Sequence, residues 1–575
     1  MVAFVLFSRR SGLAPGDAAD AATIFRRQLA PLFSDTLPEA SVRRCGDACL
    51  VSVTIPVKGW RGPLEQADER TWVLAVNVPV GAPGGPEGLP RLARRIQDDP
   101  DRLVRELAPP YTLVWQDLAT GGLHIQTDGL GLAPLYRFDD GDLWAVSNRV
   151  LTLQAAGCPL APAPLDWAVR LTVGWFPMDL TGFRGVRTVP PGTGARLDGR
   201  TVASHRVAAL DDWLRPEQDT EDETWFERSR LRMLEEIRTA FDGWSGTSQV
   251  GLTGGRDSRA VASCLLALGI PVEGYVHGLP SHPDVRVASL LADAAGIALR
   301  HDTTAGMPPD DLASARRSIE LALRWQTGAR GAHKHKTFLP GGRLLGGGRI
   351  EISGQHGEIG RTTARVGGRT VSPDDRLIGP FLDLIPRAVR PSLVPEVEDA
   401  IHAMCHQIDR FALDAKRRWD FFFLYERTRR RSAGAHAGKT GIVFAPFMTP
   451  DYIRASFAVD PAVKRAAPFH SHFVARNFPR WSDVPYGESL PPWSAAETEG
   501  AAWRTVDGSR SYDTVSWWHE AGAELIDEAL TGGGFWTEVL DPTVVAISRD
   551  EVPDEVALLH LWPIALGLPA PPVGP

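Results

Sequence analysis

The densest chemistry in the sequence lies in six consecutive residues, Thr253-Gly254-Gly255-Arg256-Asp257-Ser258. Two adjacent glycines let a backbone turn tightly and expose its N–H groups. The run Val250-Gly251-Leu252 leads in like a strand and a helical pattern follows, so the positive end of a helix points at the same spot. Thr253 and Ser258 add hydroxyls, and Asp257 offers a carboxylate suited to a magnesium ion. The set fits a pyrophosphate group. It is not a Walker loop, because the Gly-Lys-Ser/Thr ending is absent. A Gly-Gly turn between strand and helix is common, so position decides. This one follows the first strand of an alternating strand–helix region, where parallel sheets bind ligands.

The elements that must hold this loop are legible as periodic segments. Residues 248–252, 272–277 and 298–301 read as strands, and 258–268 and 285–295 as helices, the second ending at Gly296. Such alternation predicts a parallel sheet covered by helices. Residues 401–437 read as mostly helical, so this part of the chain is expected to be helix-rich. Upstream, residues 51–55, 72–76, 111–115 and 143–147 are short strand-like runs separated by Gly, Pro and Asp clusters. Residues 1–7 read as a first strand: a signal peptide would place basic residues before its apolar stretch, and here Arg9-Arg10 come after. An acidic connector, Asp211-Asp212 and then residues 218–223, precedes a helical stretch over 224–241. A chain of 575 residues is too long for one core, so two domains are expected, 1–210 and 211–575.

Composition narrows the classes of partner. A net charge of −8 disfavours nucleic acid, which needs a basic surface. The run Arg429-Arg430-Arg431 is a local exception, read as a solvated helix face. Five cysteines make an odd, sparse set that argues against a disulfide framework and for a reducing cytoplasm. Cys45 and Cys49 have no second pair at zinc spacing and read as ordinary thiols. No apolar run is long enough to span a membrane, so no membrane partner is expected.

The 253–258 segment resembles the Ser-Gly-Gly-x-Asp-Ser loop of the N-type ATP-pyrophosphatases, with Thr253 in place of the first Ser. Gly274-Tyr275-Val276-His277 resembles that fold's second strand, whose end lines the adenine pocket, and His282-Pro283-Asp284 the start of the helix after it. Three upstream segments are similar to asparagine synthetases. They are Asp128 to Tyr136 (Asp-Gly-Leu-Gly-Leu-Ala-Pro-Leu-Tyr), Leu143-Trp144-Ala145-Val146-Ser147-Asn148, and the Pro190-Pro191-Gly192 stretch. The resemblance covers most of residues 110–300. It implies an α/β protein: an N-terminal Ntn-hydrolase-like α/β/β/α sandwich, then an adenine-nucleotide α-hydrolase-like (PP-loop) parallel-sheet domain. It further implies that Leu252, Thr253, Gly254, Gly255, Asp257, Ser258, Val276 and Gly354 contact ATP.

Two departures shape the expected function. Glutamine-dependent members carry a cysteine nucleophile at position 2, and this chain has Val2. Its first domain should therefore not hydrolyse glutamine. At Ser353-Gly354-Gln355-His356-Gly357-Glu358, Glu358 falls where the family's metal-binding Asp lies, which makes Asp257 and Glu358 the expected Mg2+ ligands. Gln355 falls where the synthetases carry Glu and some cyclases Tyr. A Gln cannot serve as a base. Gln355 and His356 are the expected catalytic pair, with a loop His such as His356 otherwise read as polar surface. The family's late lysine has no counterpart after Lys464, and Arg476 and Arg480 are the candidate substitutes. The resemblance implies an ATP-dependent, AMP-forming ligase that joins a small-molecule or peptide carboxylate to an amine. A lasso-peptide or β-lactam-type cyclase, a non-catalytic nucleotide-binding relative, and a thiolase acting on tRNA are alternatives. The last predicts a basic surface and paired cysteines, which are not evident. A homodimer is left open.

Overall fold

The computed structural model describes the chain apart from residues 1, 33–36, 58, 63, 78–87, 216–220, 247, 279, 281, 303–310, 327–349, 353, 355, 362–364, 367–368, 371–376, 434–441, 488–521, 548–552 and 569–575. Gln355, assigned to catalysis from the sequence, lies outside the described residues.

Among the described residues, twelve strands ending at Arg206 build two six-stranded antiparallel sheets. They are β1 (Val2–Arg9), β2 (Ser41–Cys45), β3 (Ala48–Thr54), β4 (Glu65–Ala67), β5 (Thr71–Ala75), β6 (Thr112–Asp117), β7 (Leu123–Thr127), β8 (Tyr136–Asp139), β9 (Leu143–Ser147), β10 (Val186–Thr188), β11 (Thr193–Asp198) and β12 (Thr201–Arg206). One sheet runs β10-β8-β9-β1-β3-β2, the other β12-β11-β7-β6-β5-β4. Side chains alternate between faces along a strand, and β5 shows the consequence. Trp72 and Leu74 join the core shared with the first sheet, while Val73 and Ala75 pack under Leu89, Leu92 and Ile96 of the helix Leu89–Asp98. On the far side, the helix Asp17–Leu29 and the short turn Val150–Ala156 cover β1 and β3. The layering is helix, sheet, sheet, helix, as expected for this part of the chain. β1 is buried from Val2 to Phe7 because it has a layer on each face.

A parallel sheet follows, β13 (Ser248–Gly251), β14 (Val272–His277) and β15 (Leu299–Asp302), in that order. The helices Arg256–Ala267 and Pro283–Ala295 make the crossovers, and Gly296 ends the second with φ +65°. β16 (Ile350–Ile352) lies beside β13 and pairs in parallel with β19 (Ile442–Phe444); between them a small hairpin joins β17 (Arg365–Val366) to β18 (Arg369–Thr370). The buried Asn77 amide, at the end of β5, caps β19 from the antiparallel half. It donates to Val443 O (2.7 Å) and accepts from Val443 N (3.0 Å).

Residues 401–437 are less regular than expected. The helix Val394–Asp409 breaks before Ala415–Phe422, and the chain then widens into a π-helical stretch, Phe423–Ala433; residues 434–437 are outside the described set. This widening overturns one expectation. Arg429 is only 4% exposed and Arg430 only 10% at its side chain, so neither belongs to a solvated face. Among the described residues no helix is long and apolar enough to cross a membrane.

Candidate functional site

The loop after β13 turns at the carboxyl end of the parallel strands. Leu252 is fully buried, and its N–H still pairs with Tyr275 O (2.9 Å) as the strand ends. Thr253 Oγ1 then accepts from Gly255 N (3.1 Å) and shares a hydrogen bond with Ser258 Oγ (2.9 Å). The two hydroxyls expected to face a phosphate thus brace the turn in this conformation. Gly255 caps the helix Arg256–Ala267, which puts Asp257 in its first turn.

Two other segments close on the loop. Gly254 N donates to Asp284 Oδ1, from the start of the helix Pro283–Ala295, and Gly254 O accepts from Gly487 N (2.9 Å). A Cβ on Gly254 would meet Gly487 Cα at 2.7 Å, so this approach requires glycine. Arg259 holds the same segment by its carbonyls, Nη1 to Val484 O (2.6 Å) and Nη2 to Pro485 O (2.7 Å). The Tyr486 ring stacks under the guanidinium groups of Arg256 and Arg259, at 4.2 and 4.1 Å. Residues 484–487 were not anticipated from the sequence. Their only local signal is a glycine after an aromatic.

The turn after β16 arrives from the other side. Gly354 packs on the loop helix so tightly that a Cβ would lie 3.1 Å from Ser258 N, and one on Gly357 would lie 2.5 Å from Asp257 Oδ1. Glu358, in the short turn Gly357–Gly360, comes close enough to Asp257 for the two charges to repel. Burial first, then that repulsion, pushes the Glu358 carboxyl above its usual range. Burial works the same way on Asp257, but His470 and Arg361 outweigh it and hold its carboxyl below the usual range. Arg361 Nη2 is 3.1 Å from Asp257 Oδ2, and His470 Nε2 is 2.8 Å from Asp257 Oδ1. The turn that carries Glu358 is therefore packed against Asp257, the other residue expected to hold the metal, with the Arg361 guanidinium beside it. Two carboxylates are what Mg2+ commonly takes from a protein when phosphates and waters complete its shell. Among the described residues no group of three His, Cys, Asp or Glu converges.

The remaining expected residues divide. His356 is buried, not surface as read from the sequence. It takes φ +85° and donates its N–H to Glu358 Oε2 (3.0 Å), so it helps aim that carboxylate. Val276 is a core residue, 1% exposed. Arg476 and Arg480 are both exposed on the outside of the Pro468–Asn477 helix and the turn after it. Lys464 is fully buried, donates to Ile359 O (3.0 Å) and pairs with Asp420 Oδ2, so it braces the Glu358 turn. Among the described residues Arg361 brings a cation to Asp257, and local sequence did not single it out.

Among the described residues, position 2 carries no nucleophile. Val2 is buried, and its carbonyl accepts from Asn148 Nδ2 (2.9 Å). Burial pushes the thiol of Cys49 up to about 11 and those of Cys158, Cys264 and Cys405 up to about 12, so none is an activated thiolate at neutral pH.

No protein-family model matches the chain, and no curated protein matches it. Among solved structures, the chain is similar to one described as the allosteric regulatory enzyme of purine biosynthesis, at 12% identity over 54% of this chain and 82% of that one, with a TM-score of 0.26. It is also similar to glutamine phosphoribosylpyrophosphate amidotransferase from B. subtilis complexed with ADP and GMP, at 12% identity over 63% and 77%, with a TM-score of 0.25. Overlap this loose carries no assignment of activity.

Proposed function

We propose that this chain is an ATP-dependent, AMP-forming carbon–nitrogen ligase of the asparagine-synthetase type, with a degenerate glutaminase-like unit over 1–210 and the ligase unit over 211–575. The observation that carries the reading is the placement of the 253–258 loop at the carboxyl ends of parallel strands, with the turn that carries Glu358 packed against Asp257. In this reading the loop amides and the helix behind them hold the pyrophosphate part of ATP. Asp257 and Glu358 are the residues that would hold Mg2+, which when bound neutralises phosphate charge. Arg361 supplies the fixed cation that no late lysine provides, facing charge that develops as pyrophosphate leaves. A bound carboxylate, from a small molecule or a peptide, attacks the α-phosphorus, and an amine then attacks the acyl-adenylate. Of the two turn residues assigned to catalysis, Gln355 can only hydrogen-bond, which leaves His356 to take the amine proton. The amine is ammonia or a group on the substrate, because Val2 supplies no nucleophile.

Two observations favour a second reading, a nucleotide-binding relative without turnover. The Gly254 amide already donates to Asp284, and residues 484–487 lie against the loop. Product analysis separates the two. Incubated with ATP labelled at the α-phosphate, Mg2+, and pooled carboxylates and amines, the protein is expected to yield AMP and pyrophosphate. Formation of ADP, or no turnover across the pools, contradicts ligase activity.

A further inference from the structure

Two of the segments that carry the resemblance play no part in the loop chemistry, yet they meet. Residues 127–136 curl around the Asp128 carboxylate, which is fully buried and accepts from the N–H groups of Leu130, Leu132, Ala133 and Tyr111 at 2.9–3.3 Å. This fixes Gly131, Leu135 and Tyr136 as one wall of a cavity of about 60 Å³. Thr188 and Val189, just before Pro190-Pro191-Gly192, form a second wall. The third comes from the other half of the chain: Arg429 and Arg430, on the widened helical stretch. π-type widening of a helix is found frequently at functional sites.

The charge there is unbalanced. Arg430 donates to Thr188 Oγ1 (2.8 Å) and pairs with the buried Glu426 (3.4 Å), whose carboxylate also accepts from the Met178 N–H (3.0 Å). Asp179, the other acid that acts on Arg430, is 55% exposed and pairs with Arg187 at 4.0 Å. Arg429 has no acidic partner among the described residues. Its Nε donates to Tyr425 O (2.9 Å), its guanidinium lies over the Tyr425 ring (4.2 Å), and its buried Nη2 has no hydrogen-bond partner among the described residues. Glycine at 131, with φ +66°, leaves room for that guanidinium: a Cβ would lie 3.1 Å from Nη1. Burying a cation without a counter-charge is costly. A cavity of this size has room for a small group, since one water needs about 10–15 Å³.

The geometry points to a binding site for a small oxyanion, a carboxylate or phosphate group, held in this cavity by Arg429 and Arg430. It is separate from the phosphate loop and independent of the ligase reading. A guanidinium fork matches the paired oxygens of either group. Two of the segments that carry the resemblance would then be the walls of a ligand site shared by both halves of the chain.

Crystals of the full chain soaked in selenate test this without any substitution. An anomalous selenium peak between the Arg429 and Arg430 guanidinium groups is expected. Its absence while selenate occupies other sites overturns the proposal. In solution, acetate and inorganic phosphate are titrated separately at constant ionic strength against the wild-type protein and Arg429→Gln. Saturable binding of at least one, weakened about tenfold or more in the variant, is expected from the loss of a charge-assisted contact. Equal binding by the two proteins, or none by either, overturns it. The arm that saturates identifies the group as carboxylate or phosphate. Urea unfolding of Arg429→Gln shows whether it is folded; if it is not, the selenate soak alone decides between the two outcomes.

Discussion

Gly357→Ala tests whether the Glu358 turn and Asp257 share one packed site. The new Cβ would lie 2.5 Å from Asp257 Oδ1, 2.8 Å from Asp257 Cγ and 2.8 Å from His470 Nε2. Real Cβ atoms do not approach so closely, and the neighbours have little freedom: His470 is fully buried and the Asp257 side chain is 17% exposed. Gly357 has no positive φ, so the cost is steric alone. Overpacking of this kind costs roughly 1–3 kcal/mol. The carboxylate must also move off Arg361, 3.1 Å away, and a hydrogen bond to a charged group is worth about 1.5–3 kcal/mol. Urea unfolding should show the first cost, and calorimetry a fall of about tenfold or more in Mg2+-dependent ATP affinity. Gly379→Ala is the control. Nothing lies within 4 Å of its Cβ, and it sits at the start of the helix Gly379–Leu382, so it should be neutral or stabilising by about 0.4–1 kcal/mol. A Gly357→Ala protein matching Gly379→Ala in both assays would refute the packing argument.

Two further outcomes follow from buried groups and from the first half of the chain. Burial, offset only partly by Arg232, raises Glu236 from 4.5 to about 8. Between those values the folded chain holds a proton that the unfolded chain has lost. This contribution is therefore complete below pH 4.5 and is lost as pH rises through about 8. It amounts to about 3–5 kcal/mol. Glu236→Gln should flatten that decline in urea unfolding between pH 5 and 8.5, on a scale of about one proton, and an unchanged slope would show that Glu236 titrates normally. Glutamine labelled at its amide nitrogen should pass no label to any product and release no glutamate, since Val2 is buried and the shifted thiols stay protonated. Labelled product from purified protein would show an active glutaminase.

Local pattern reaches far into the fold. β9 and β14 span the residues their apolar runs mark, Leu143–Ser147 and Val272–His277, and His282-Pro283 starts a helix as an N-cap followed by proline should. The Glu358 turn packs on Asp257 because each follows the end of a strand, a feature that short segments reveal. What sequence does not carry is anything set by distant packing. Arg361, Tyr452, Lys464 and His470 reach the Asp257–Glu358 site only through the helices that follow β19 and the turn at 357–360. No spacing joins them to residue 257. Arg429 and Arg430 illustrate the opposite error. A run of charge reads as solvent-facing, but a widened helix turns these two toward the antiparallel half, against Tyr425, Glu426 and Thr188. His356 departs from its surface reading for a similar reason: its turn packs against the loop helix, Gly354 on Ser258 and Gly357 on Asp257.

In the proposed site Asp257 and its loop hold ATP through Mg2+, and binding calorimetry on Asp257→Asn reads that role out. Wild-type protein should bind ATP with an affinity that rises when Mg2+ is added. The variant, isosteric but without the charge, should lose that Mg2+ dependence, with affinity in Mg2+ lower by about tenfold or more. Mg2+-dependent ATP affinity that is the same in Asp257→Asn and wild type would rule out Asp257 as a metal ligand.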